Sequence, residues 1–136
     1  MHELFEHTAD LGLRVWAPDL DTLFAEAAAC LFSAIVEDPS AVRPAVEQTV
    51  ELSGADREYL LFDWLRELLY RFDAEHMVYR DFAVKVRPDG LTATIRGEKL
   101  DPARHVLSHE VKAITYHALR VEQTPDGWRA EVIVDI

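Results

Sequence analysis

The chain has 136 residues, of which 49% are apolar, and its formal net charge is −11. This size and apolar content predict one globular domain over residues 1–136 and exclude a disordered acidic tail. No apolar run is long enough to span a membrane, and an acidic surface repels nucleic-acid phosphates, so we expect neither a membrane nor a nucleic acid as a direct partner. A single cysteine, Cys30, cannot form an internal disulfide and favours a reducing, cytoplasmic compartment.

The acidity is unevenly distributed along the chain. Residues 1–80 hold 16 acidic and 6 basic residues, whereas residues 81–136 hold 9 and 8. A basic or metal-bearing partner therefore fits this chain better than an anionic one. The simpler interpretation is that an acidic surface keeps a small protein soluble.

The first elements are predicted to be a hairpin and a helix. Alternating apolar residues predict strands over 2–7 and 11–16, separated by a polar turn. Apolar residues at three- and four-residue steps predict a helix over 20–35, with Asp19 as its N-cap. Cys30 falls at the margin of the apolar stripe, where we expect a half-buried, unreactive side chain.

The rest of the chain is predicted to hold one more helix among several hairpin strands. The helix covers about 56–72, and residues 97–108 are expected to be irregular. Alternation and turn signals predict strands over 45–52, 78–86, 91–96, 113–123 and 128–135. This order indicates an α+β domain, with two main helices packed on one side of a mostly antiparallel β-sheet.

Carboxylates in a tight turn and at the chain end are the first candidates for chemistry. Asp10 lies in the turn between the first two strands, where a turn-forming aspartate is the simpler interpretation. Asp135 precedes the terminal carboxylate of Ile136, and two adjacent anions repel each other unless a cation joins them. The alternative is a frayed and solvated chain end.

A histidine-bearing segment follows the predicted hairpin at 78–96. His105 and His109 have the spacing that would place two imidazoles on one helix face, which raises the hypothesis of a zinc site. No HExxH motif or cysteine pair supports zinc, and surface or hydrogen-bonding histidines are an equally good interpretation. No nucleophilic triad, phosphate-binding loop or glycosidase-like carboxylate pair is present in the sequence.

Short motifs are spread along the whole chain. In chain order they are His7-Thr8-Ala9-Asp10 with Gly12, the helix end Leu68 to Phe72, Gly97-Glu98 with Asp101 and His105, Glu110-Val111-Lys112-Ala113 with Thr115-Tyr116-His117, Trp128, and Asp135-Ile136. Together they resemble the motifs of the archease family, the one departure being Leu11 in place of a smaller branched residue.

The resemblance implies an accessory protein rather than an enzyme. Archeases activate the RtcB-type tRNA-splicing RNA ligase by promoting guanylylation of the ligase histidine, supporting multiple turnover and broadening nucleotide use. We therefore expect an RtcB-type ligase as the partner and a monomeric, cytoplasmic protein. The alternatives are a general chaperone or protein-binding module with an incidental metal site, and a metal-dependent phosphoesterase.

The resemblance also implies a divalent-cation site. By position its ligands would be Asp10, Asp135 and Ile136, and their hard oxygen atoms suit Ca²⁺ first, with Mg²⁺ or Mn²⁺ as alternatives. Further motif residues are expected either to form the partner interface or to brace the metal turn, and these are Glu98, Asp101, His105, Glu110 and Lys112.

Overall fold

The fold, described by a computed structural model over residues 1–136, contains eight β-strands, two α-helices and one short 3₁₀ helix. Their bounds, in chain order, are β1 His2–His7, β2 Asp10–Ala17, α1 Leu20–Ile35, the 3₁₀ helix Pro39–Ala41, β3 Val46–Ser53, α2 Arg57–Glu75, β4 Met77–Arg87, β5 Gly90–Lys99, β6 Ala113–Ile114, β7 Arg120–Thr124 and β8 Gly127–Asp135.

The strands form two antiparallel sheets. The larger sheet has the order β1-β2-β8, and the far edge of β8 is shared by β7, which pairs with its beginning, and β6, which pairs with its end. The smaller sheet has the order β3-β5-β4. The predicted α+β class with mostly antiparallel pairing is confirmed, and the strands divide between two sheets.

Helix α1 joins the two sheets, because it packs against β2 of the larger sheet and β4 of the smaller one. Its apolar stripe belongs to one continuous core of 34 buried residues, in which Cys30 is fully buried rather than half-buried. The indole N–H of Trp64 in α2 donates a hydrogen bond to the Phe24 carbonyl at 2.9 Å and links the two helices. Neither helix is long and apolar enough to cross a membrane.

An aspartate caps the N-terminus of each helix. The Asp19 carboxylate accepts a hydrogen bond from the Thr22 N–H at 2.8 Å, as predicted. Asp56 accepts from the first free N–H groups of α2. Helix α2 continues to Glu75, beyond the predicted end, and stops where His76 adopts a left-handed conformation with φ 57°.

The prediction of one strand over 113–123 is wrong. The backbone turns after β6, where Ala118 has φ 52°, and resumes as β7. The Thr115 hydroxyl accepts a hydrogen bond from the His117 N–H at 3.2 Å, a local bond that competes with strand pairing. The irregular segment begins later than the predicted residue 97, because β5 continues to Lys99. Gly97 is required inside this strand, since a Cβ added there would be 1.9 Å from the Val78 carbonyl oxygen.

Candidate functional site

The turn between β1 and β2 holds two non-glycine residues in the left-handed region. Thr8 has φ 38° and Ala9 has φ 49°, and the Asp10 N–H donates a hydrogen bond to the Thr8 carbonyl at 2.6 Å. Two-residue hairpin loops of this kind favour Asn-Gly, because positive φ is costly for residues with a Cβ. The turn is therefore strained, and the flanking strand pairing holds it in place and fixes the start of β2 at Asp10.

Strand pairing brings the two aspartates of the predicted metal site together. Leu11 of β2 pairs with Val134 of β8, and the same antiparallel register, continued by one residue, sets Asp135 opposite Asp10. Side chains at such positions have Cβ atoms about 5 Å apart, and like charges there are destabilising. Neither carboxylate forms an ion pair within the chain.

A cleft of about 300 Å³ lies at this edge of the larger sheet. Its lining consists of Glu6, His7, Thr8, Ala9, Asp10, Leu11, His109 and Ile136. Asp10 and the C-terminal residue therefore share one cleft, and Asp135 stands beside it through the strand register. The Nδ1 atom of His7 is buried without a hydrogen-bond partner, and its ring centroid is 5.2 Å from that of His117.

The donor set at this edge suits a hard cation only when the chain terminus takes part. No group of three or more His, Cys, Asp or Glu side chains is arranged to hold a metal ion. Asp10 and Asp135 supply two carboxylates, and the terminal carboxylate of Ile136 would have to supply the third. Oxygen donors of this type match Ca²⁺, Mg²⁺ or Mn²⁺, and the exposed position leaves room for water or a partner to complete the shell.

Glu98 is the centre of a hydrogen-bonded brace. Its carboxylate accepts hydrogen bonds from the Arg43 N–H at 2.6 Å, from the Arg104 guanidinium and from His105 Nε2 at 3.0 Å. The Asp101 N–H donates to His105 Nδ1 at 2.9 Å, which places the imidazole proton on Nε2. Burial alone would raise the pKa of Glu98, but these donors lower it to about 2.

The residues of this brace do not line the Asp10 cleft. Arg104 also donates to the Ala41 carbonyl, so the cluster of Glu98, Asp101 and His105 ties the end of β5 to the 3₁₀ helix. The His105 side chain is fully buried, and both of its ring nitrogens have partners. The zinc hypothesis for His105 and His109 finds no support, because their segment is not helical and shares no helix face.

Glu110 and Lys112 line a second cleft, of about 330 Å³, together with Phe72, Asp73, Leu107, Ser108, His109 and Val111. His109 lines this cleft and the Asp10 cleft, so the two are neighbours. The Lys112 N–H donates a hydrogen bond to the Asp135 carbonyl at 2.8 Å and supports the strand end that carries Asp135.

The comparisons with known proteins agree along the whole chain. The family model described as the Archease protein family matches residues 2–136. This chain belongs to the archease family. The protein archease of Pyrococcus furiosus is 43% identical over 139 residues, which cover 98% of this chain and 97% of that protein. The protein archease of Methanopyrus kandleri is 42% identical over 138 residues, with 98% of each chain covered.

Solved structures show the same archease fold. The solution structure of a Methanobacterium thermoautotrophicum protein superposes with a TM-score of 0.87 at 37% identity, covering 99% of this chain and 98% of that chain. The crystal structure of a Thermotoga maritima protein, described as an archease and possible chaperone, has a TM-score of 0.70 at 21% identity and covers 100% and 98%. The second likeness shows the fold alone.

The residues that resemble archease motifs fall into two groups in space. Asp10 and Ile136 line one cleft at the edge of the larger sheet, Asp135 precedes Ile136 at the end of β8, and Glu110 and Lys112 line the adjoining cleft. Glu98, Asp101 and His105 form the brace at the end of β5. The sequence did not predict His7, His109 or Asp73 as lining residues of these clefts. His7 lies inside the first motif and His109 was a candidate zinc ligand, whereas Asp73 carried no such signal.

Proposed function

We propose that this chain is a cytoplasmic activator of an RtcB-type tRNA-splicing RNA ligase and not itself a ligase. In this role it promotes guanylylation of the ligase histidine, supports multiple turnover and broadens nucleotide use. Membership of the archease family supports the proposal. The observation that carries it is the meeting of Asp10, Asp135 and Ile136 at one exposed edge, where their carboxylates have no cation of the chain's own.

The residues of this edge have separable tasks. The strained turn sets the direction of the Asp10 carboxylate, and the Lys112 N–H holds the strand end that carries Asp135. Together with the terminal carboxylate of Ile136, they would hold Ca²⁺, or else Mg²⁺ or Mn²⁺. A divalent ion bound there would supply charge stabilisation for a phosphoryl group in the partner's active site.

The decisive experiment is multiple-turnover RNA ligation by a cognate ligase, with and without this protein. Asp10→Ala should abolish the stimulation while leaving the metal-free unfolding temperature unchanged or slightly raised, because one of two facing anions is removed. The matched control is Asp126→Ala, in the turn at the opposite end of β8, which should stimulate as the wild type does. Full stimulation by Asp10→Ala would refute the proposed role of this edge.

A general chaperone is the second candidate, because the Thermotoga maritima relative is described as a possible chaperone and three tyrosines are exposed on this chain. It predicts suppressed aggregation of unrelated proteins and full activity of Asp10→Ala. An aggregation assay with a thermally unfolding enzyme, run beside the ligation assay, distinguishes the two candidates.

A further inference from the structure

Helix α2 carries a second stripe at the border between its buried face and solvent. Tyr59, Phe62, Arg66, Tyr70 and Asp73 follow one another at steps of three or four residues, so they share one helix face, on which Phe62 is buried and the other four are exposed. The opposite face is buried in the core. Solvent-exposed helix faces are ordinarily polar, so aromatic residues repeated along such a face indicate an interaction surface.

Tyr116, from the turn after β6, extends this stripe. Its ring stacks on Phe62 with centroids 3.9 Å apart and meets Tyr59 edge-on at 5.5 Å. The exposed fractions of Tyr59, Tyr70 and Tyr116 are 57%, 60% and 56%. Tyr59, Phe62, Tyr70 and Tyr116 are called here the aromatic face. Rigid tyrosines of this kind are enriched at the centres of protein interfaces.

A groove runs from the aromatic face towards the Asp10 edge. Its first part, of about 270 Å³, is lined by Arg66, Leu69, Tyr70, Asp73, Lys112, Ala113 and Ile114. Asp73 and Lys112 also line the neighbouring cleft with Glu110, so the two clefts are continuous. The carboxylates of Asp73 and Glu110 form no ion pair in the chain. Partial burial, together with the nearby Glu110, raises the pKa of Asp73.

The charges around the groove select among possible occupants. Arg66 lies over the Phe62 ring with its guanidinium 3.9 Å from the Asp63 carboxylate, and Lys112 is the second cation of the groove. Asp73 and Glu110 oppose it, and Asp135 and the terminal carboxylate continue the acidic side. A second copy of a chain with net charge −11 and a nucleic-acid backbone are both repelled here.

We propose that the aromatic face and the groove dock a protein segment that presents arginine side chains. One guanidinium can lie flat on the rings of Tyr59 and Tyr116. A second one, beside Tyr70, can pair with the carboxylates of Asp73 and Glu110 while its aliphatic stem packs along Leu69 and Phe72. Arginine suits this surface better than lysine because its planar group stacks and forms two hydrogen bonds at once. The inference rests on the proposed function, since it assigns this surface to the same ligase partner.

The test compares two double variants with the wild type. Tyr59→Ser with Tyr116→Ser removes the exposed rings, and Asp73→Asn with Glu110→Gln removes the charges. The control pair, Asp89→Asn with Asp126→Asn, makes the same change of charge in exposed turns elsewhere. All of these positions are exposed, and an unfolding temperature for each variant checks that the fold is intact.

Binding is measured by calorimetry with two probes, the cognate ligase and an arginine-rich peptide. The same peptide with lysine in place of arginine is the control. Each test variant should bind the ligase and the arginine peptide with an affinity lower by about tenfold or more, and the control pair should bind both with the wild-type affinity. The charge variant should also lose the salt dependence of binding. Wild-type affinity in the tyrosine variant overturns the inference, as does single-stranded RNA binding to the aromatic face in place of the arginine peptide.

The two proposals fail separately. If the wild type binds the arginine peptide at the aromatic face but does not bind the ligase, the proposed function falls and the docking surface stands. If the ligase is stimulated normally by the tyrosine and charge variants at every concentration, the docking surface falls and the proposed function stands. Asp10→Ala should bind the ligase normally and fail only to stimulate it.

Discussion

The carboxylate of Glu98 offers a direct measure of how much the brace contributes to folding. It receives three hydrogen bonds while its side chain is only 13% exposed. Glu98→Gln removes the charge, keeps the side-chain size and weakens the bonds from Arg104 and His105. We expect the variant to fold, because the brace is peripheral to the core, but with reduced stability at neutral pH.

The magnitude follows from the pKa of Glu98, which is about 2 in the folded chain against an ordinary value of 4.5. A pKa lowered by folding means that the native state binds the proton less tightly than the unfolded state does. The corresponding stability is therefore present above pH 4.5 and is lost as the pH falls through 2. At about 1.4 kcal/mol per pKa unit, this difference corresponds to about 3 kcal/mol.

Urea unfolding between neutral pH and pH 2 measures this contribution. The wild type should lose about 3 kcal/mol more than Glu98→Gln over that interval, because the variant has no carboxylate to protonate. Glu37→Gln, at an exposed position, serves as the control and should follow the wild type. If the free energy of unfolding fell equally with decreasing pH in the wild type and in Glu98→Gln, the assignment of the lowered pKa to Glu98 would be refuted.

Three further predictions address the turn, the terminus and the cysteine. Replacing the strained pair with Thr8→Asn and Ala9→Gly should raise the free energy of unfolding by about 1–2 kcal/mol, measured in urea, since both residues then accept positive φ. Adding residues after Ile136 should remove any Ca²⁺-dependent rise in unfolding temperature. In the unmodified chain, Ca²⁺ at a hundred times its dissociation constant should raise the free energy of unfolding by about 2.7 kcal/mol. Burial raises the pKa of Cys30 to about 12, so a thiol reagent should label it only at the rate of unfolding.

Local signals account for the parts of the fold that the sequence predicted well. Helix α1 has an apolar stripe, and Asp19 caps it through a bond to a residue three positions away, so both signals lie within the segment itself. The turn that separates β6 from β7 depends instead on Thr115, whose hydroxyl also donates to the Ile133 carbonyl of β8 at 2.9 Å. A contact between distant strands leaves no periodic pattern in either segment.

The sequence offers residues for the candidate site but not their geometry. Asp10, Asp135 and Ile136 were identified through resemblance, while the strand register that sets Asp135 opposite Asp10 is a property of the folded sheet. Glu98 and His105 are separated in sequence by a strand end and a turn. Their hydrogen bond forms only when that turn folds back, so the sequence alone does not show that they brace the fold. The aromatic face was not predicted, and Tyr116 joins it from another element.

The Asp10 edge combines two features that each oppose folding. The turn holds Thr8 and Ala9 at positive φ, and the register sets two carboxylates opposite each other without a cation of the chain's own. Strain and facing charges of this kind each cost on the order of 1 kcal/mol or more, and the paired strands of the larger sheet must offset them. An edge designed only for stability would carry Asn-Gly in the turn and one lysine among the carboxylates. Both features are accounted for by the proposal that this edge binds a cation and a partner, and that proposal predicts a gain of stability with a loss of stimulation in the relaxed turn.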